Sequence, residues 1–91
     1  MANKINANKL GLTVGIFAAL IHLIWSLVVL AGVAQEFLNW IFPIHFLNNV
    51  YSVVGFNAIT ALLLTLMTLL GGYVMGWAFA ELWNYIDKKV R

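Results

Sequence analysis

The sequence predicts an all-α membrane protein: two transmembrane helices in an antiparallel hairpin, with a short interfacial helix in the connection. Three observations predict it. Residues 10–34 and 50–85 form two long apolar runs, with no Asp, Glu, Lys or Arg before Glu81. Between them, residues 35–49 mix aromatic rings with amides and one proline. All five basic residues, Lys4, Lys9, Lys88, Lys89 and Arg91, flank the two ends. About 20 consecutive apolar residues suffice to cross the hydrocarbon core of a bilayer.

Composition agrees. Of 91 residues, 64% are hydrophobic and 9% charged, and the mean hydropathy is +0.95. A soluble domain of this size needs more polar surface to cover itself. The 91 residues are read as a single membrane domain. The net charge of +2 and the pI near 9.2 come from the two ends, not from a basic patch on a folded surface, so no nucleic-acid partner is expected. With no cysteine, the chain has no disulfide, thiolate metal site or palmitoyl anchor.

Residues 1–9 are polar and read as a tail, with Asn8 a candidate cap for the helix that follows. Residues 10–34 are the first span; at 1.5 Å per residue, 25 residues reach about 37 Å. The competing reading is a cleaved signal with Gly32-Val33-Ala34 as the cleavage site. The run exceeds the roughly 7–15 residues of a signal's apolar region, which favours a span.

Residues 35–49 hold Phe37, Trp40, Phe42 and Phe46 among Asn, Gln and His. Membrane–water interfaces select that mixture. The expectation is a short helix, or two turns broken near Pro43, lying on the outer membrane surface. A re-entrant loop is disfavoured because irregular backbone is costly in lipid.

The second span, 50–85, is longer than a bilayer needs. Its membrane core is expected near Ala61–Leu82, with Tyr51–Asn57 extending the helix outward or bending it at Gly55. Trp77, Trp83 and Tyr85 form a second aromatic belt, and residues 86–91 a tail. Because the connection lacks Lys and Arg, the positive-inside rule puts both termini in the cytoplasm and the connection outside. The expected location is the cell (inner) membrane, crossed twice.

Each span carries a stripe of small residues. Ala61, Thr65, Thr68, Gly72 and Gly76 share one face of the second at 100° per residue. Gly11, Gly15, Ala18, His22 and Ser26 share one face of the first, with Val29 and Val33 beyond them. Gly11-x3-Gly15 and Gly72-x3-Gly76 are small-x3-small pairs that let backbones approach. Gly11, Gly15, Ala18, Ser26, Ala61, Thr65, Gly72 and Gly76 are the candidate helix-packing residues. The stripes serve either a hairpin within one chain or contacts between copies.

The candidate pore or polar site is His22, Thr68, Asn57 and Glu81. An ionisable residue inside a span raises a functional question by default. Judged by depth, His22 is matched with Thr68–Gly72. It is read as a pore-lining site, as an axial ligand to a haem or pigment, or as a neutral ring bonded to a Thr hydroxyl or a carbonyl across the helix pair. A single His without a partner is thin support for a metal, and no cofactor is expected. Asn57, Thr60, Thr65 and Thr68 either line water or bond within the membrane, Thr most often to the carbonyl four residues back. Glu81 is either an interfacial acid paired with Lys9 or Lys88, or part of an acidic ring at a pore mouth. Met67 and Met75 read as lipid-facing filler. The chain holds no Ser-His-Asp set, carboxylate pair or phosphate loop, and an enzyme is not expected.

Asn6-x-x-Lys9-Leu10-Gly11-Leu12, at the first span, resembles a family of small two-span prokaryotic membrane proteins of unknown function, some labelled holin-like. So does Gly71-Gly72-x3-Gly76-x3-Ala80-x-Leu82-Trp83-Asn84-Tyr85, at the second. The resemblance implies a two-span hairpin and no particular activity. The functional expectation, motivated by the His22–Thr68–Gly72 level in a chain with no other chemistry, is a homo-oligomeric, pore- or channel-like protein, holin-like or conducting ions or protons. The alternative is a structural or accessory subunit, packed on itself or on a larger membrane complex. The lipid bilayer is the partner common to both.

Overall fold

The computed structural model describes residues 4–90. Among them are three helices and no strand: α1 (Ala7–Leu30), α2 (Ala34–Ile44) and α3 (Ala58–Val90). Helices α1 and α3 are long and apolar enough to cross a membrane. They pack antiparallel along their length, and the short α2 joins them at one end. At 1.5 Å per residue, the 24 residues of α1 span about 36 Å and the 33 of α3 about 50 Å. Each exceeds the roughly 30 Å of a bilayer core.

Local chemistry sets the boundaries. Helix α1 starts earlier than the apolar run because Asn6, rather than Asn8, caps it; its Oδ1 accepts from Lys9 N at 3.0 Å. The helix ends where Gly32 turns to φ +82°, with Gly32 N donating to Val29 O and Val33 N to Val28 O. This is the paired bonding of a helix end closed by a left-handed residue.

Helix α2 ends the same way at Phe46, φ +63°, with Phe46 N on Pro43 O and Leu47 N on Phe42 O. Pro43 lies in the last turn of α2. It has no N–H, so the carbonyl of Asn39 receives no helical bond from it. Around α2, the intermediate residues Leu38, Ile41 and Phe42 lie on one side and Glu36, Asn39 and Pro43 on another.

Helix α3 begins at Ala58, eight residues later than the apolar run. Asn57 caps it, Oδ1 accepting from Ile59 N at 2.9 Å and Thr60 N at 3.1 Å. Residues 50–57 are extended instead of helical because side chains outside the segment hold their backbone. Gln35 Oε1 accepts from Val53 N at 2.7 Å, and Gln35 Nε2 donates to Tyr51 O at 3.1 Å. Asn49 Oδ1 accepts from Tyr51 N at 2.9 Å. Val50, Val53 and Val54 are β-branched and Gly55 favours no helix, so little opposes the extended path.

Among the described residues the hairpin has no core of large side chains. Its buried apolar residues are Ala19, Ala34 and Ala80, and the buried set is completed by Gly11, Gly15, Gly76 and Ser26. The radius of gyration is 17.7 Å, where a globular chain of this length has about 12 Å. Large apolar side chains cover the outside instead. In water such a continuous apolar surface far exceeds what monomeric proteins tolerate.

Candidate functional site

The seam between α1 and α3 brings together most of the residues the sequence singles out. It is a backbone contact. A Cβ added to Gly72 would lie 2.7 Å from Gly15 Cα and 3.0 Å from Val14 O. A Cβ on Gly76 would lie 2.8 Å from Leu10 O and 3.0 Å from Gly11 Cα. No side chain fits there. The small residues continue the four-residue spacing on both helices, Gly11-Gly15-Ala19 and Gly72-Gly76-Ala80. Ala19 is buried where the stripe expectation had Ala18, which is only half-buried. The spacing of four from Gly15 carries the signal for Ala19, and the spacing of four from Gly76 the signal for Ala80.

Gly11 against Gly76 and Gly15 against Gly72 fix the register, which then brings His22 level with Thr65 and Ser26 level with Ala61. The expected level of His22 with Thr68–Gly72 is thus displaced by three residues or more. Counting depth from each run's end missed this because the helices start and stop at other residues than the runs.

His22, Ser26, Thr65 and Thr68 each bond to their own helix. His22 Nδ1 donates to Ala18 O at 2.8 Å; a carbonyl only accepts, so Nδ1 carries the proton. Its bond runs along α1 rather than across the pair. Ser26 Oγ donates to His22 O at 3.1 Å, and Thr65 Oγ1 to Ala61 O at 2.9 Å. Thr68 Oγ1 lies 2.8 Å from Leu64 O and 3.0 Å from Thr65 O. His22 Nε2 has no hydrogen-bond partner among the described residues. Asn57, the remaining amide of the candidate set, is exposed and occupied in capping.

Three hydrogen bonds from α3 to Ile5 and Asn8 close the other end of the hairpin. Tyr73 lies over Gly11, whose added Cβ would meet its ring at 2.9 Å, and its hydroxyl donates to Asn8 Oδ1 at 2.6 Å. Asn84 brackets Ile5: Oδ1 accepts from Ile5 N at 2.9 Å, and Nδ2 donates to Ile5 O at 2.8 Å. Neither contact follows from periodicity, since each depends on the register. Glu81 is exposed and forms no ion pair among the described residues, so the expected pairing with Lys9 or Lys88 is absent there.

Toward the connection a groove of about 380 Å³ opens, lined by Trp25, Ser26, Leu38, Val53, Ala61 and Leu64 among others. Two helices able to cross a membrane, joined by a short third, are compatible with a small membrane protein. No family model, curated protein or solved structure matches the chain.

Proposed function

We propose that the chain is a small integral membrane protein that acts by packing, as a structural or accessory subunit with no transport of its own. Both termini lie on the cytoplasmic side of the cell membrane in this reading, and the α2 connection lies outside. One observation carries it: His22, Ser26, Thr65 and Thr68, the polar side chains midway along the α1–α3 seam, bond to carbonyls of their own helices. A water-filled path needs polar groups turned toward a lumen. The glycines that would draw copies together are taken up within one hairpin, leaving apolar outer faces to meet lipid or a larger membrane complex.

The second reading is a homo-oligomeric pore, favoured by His22 Nε2. An acceptor nitrogen without a donor inside a bilayer is costly, and a neighbouring copy or a file of water would satisfy it. Ion flux through vesicles carrying the purified protein separates the readings. The packing reading expects flux equal to that of empty vesicles, and wild-type helicity and melting in His22→Leu. Flux that His22→Leu abolishes would overturn it in favour of the pore.

A further inference from the structure

Beside the Asn84–Ile5 bracket, a cleft of about 330 Å³ opens between the start of the chain and α3. Its walls are Lys4, Ile5, Asn6, Ala7, Glu81 and Asn84. The bracket's two bonds hold the 4–7 segment against α3, so the walls keep their spacing. Asn84 Oδ1 and one Nδ2 proton are engaged with Ile5, and Asn6 Oδ1 with Lys9 N. Two charged groups remain. Lys4 and Glu81 face one cleft with opposite charge, and neither has an ion-pair or hydrogen-bond partner among the described residues.

We infer that this cleft is a binding site for the headgroup of an ethanolamine phospholipid, the phosphate at Lys4 and the ammonium at Glu81. The inference rests on the membrane reading above, which sets this end of both spans at the cytoplasmic boundary, beside Trp83, Tyr85, Lys88 and Lys89. Charge complementarity selects the occupant. A purely anionic headgroup satisfies Lys4 but meets repulsion from Glu81, and a bare cation does the reverse. A headgroup carrying both charges satisfies both. A primary ammonium also donates hydrogen bonds to a carboxylate, which the quaternary ammonium of choline cannot do. Ile5 and Ala7 add apolar surface to the same cleft, which suits the glycerol backbone.

The full chain is reconstituted with equal parts of ethanolamine, choline and glycerol phospholipids. It is then released into mild detergent, and the retained lipids are counted by native mass spectrometry. The wild type is expected to retain ethanolamine over choline lipid by about fivefold, the size of one net hydrogen bond. Glu81→Gln brings that ratio to near one, and Lys4→Gln lowers retention of all three lipids. Equal retention by the wild type, or an unchanged ratio in Glu81→Gln, overturns the site. So does an equal loss of melting temperature in both variants at an unchanged lipid ratio, which marks a folding contact. Full displacement by soluble glycerophosphoethanolamine overturns the lipid as the source of the headgroup. Flotation keeps the two readings apart. Wild type that floats with no vesicle overturns the membrane reading, whereas wild type that floats without ethanolamine preference overturns only the cleft.

Discussion

Where Gly15 meets Gly72 the two long helices touch backbone to backbone; near the connection, Trp25 and Leu64 line a groove of about 380 Å³. The first region is held by the absence of side chains and the second by amide side chains. Lipid tails are as apolar as Leu, so burying Leu between helices gains little in a bilayer, whereas close approach gains dispersion contact. At the connection the chain leaves helical geometry, and its backbone groups need partners from elsewhere. Gln35, Asn39 and Asn49 supply and link them: Gln35 Nε2 and Asn49 Nδ2 both donate to Asn39 Oδ1, at 3.1 and 2.8 Å.

The largest test of this contrast compares adjacent glycines. A Cβ at Gly72 meets backbone that cannot move aside, whereas a Cβ at Gly71 has no atom within 4 Å. Gly72→Leu is expected to force the helices apart, costing about 3 kcal/mol or more, at the upper end of overpacking. Gly71→Leu replaces glycine in an exposed helix position and gains up to about 1 kcal/mol. Unfolding in denaturing detergent, followed by energy transfer between labels on α1 and α3, measures both. Equal effects of the two substitutions would mean that the seam does not hold the hairpin.

The shared small-residue faces and the short helix of the connection were legible in the sequence and the path of residues 50–57 was not, for a physical reason. Gly11, Gly15, Gly72 and Gly76 obey a helical period, so their shared faces can be read without knowing the partner. Residues 50–57 look like helix because Val50–Phe56 is apolar. What makes them extended is Gln35, 16 and 18 residues away, bonding Tyr51 O and Val53 N. Periodicity carries no trace of such a bond. Asn84 with Ile5 is the same case across 79 residues. His22 stood out in the sequence as an ionisable group, but its tautomer came only from the distance to Ala18 O.

The amide brackets give the next test. Asn84→Leu removes both bonds to Ile5, the tie between the chain's start and α3, and is expected to cost about 1–2 kcal/mol of hairpin stability. Faster hydrogen exchange at Ile5 and Lys9 should accompany it. Gln35→Leu also removes a bracket, but one that orders only the 51–53 backbone. It is expected to leave hairpin melting within about 0.5 kcal/mol, as for substitutions outside the packed elements, and to speed proteolysis within 50–57. A global loss in Gln35→Leu equal to that in Asn84→Leu would mean that the connection also holds the spans.

The smallest effect concerns the two left-handed turns. Gly32 and Phe46 close α1 and α2 with the same pair of bonds, at φ +82° and +63°. Glycine adopts that conformation freely, whereas a residue with a Cβ loses roughly 1–2 kcal/mol there. Phe46 recovers nothing by packing within the chain, since it is 97% exposed. Phe46→Gly relieves the strain but gives the unfolded chain more freedom, so the net gain in melting stability is expected at about 0.5–1 kcal/mol. An aromatic ring on the outer side of α2 gains from the membrane interface instead, so the same variant should bind vesicles more weakly. Both changes are read on one sample, by melting in detergent and by partitioning into vesicles. Higher stability with unchanged partitioning would mean that Phe46 anchors nothing. Lower stability would mean that the ring holds the α2 turn through a contact outside the single chain.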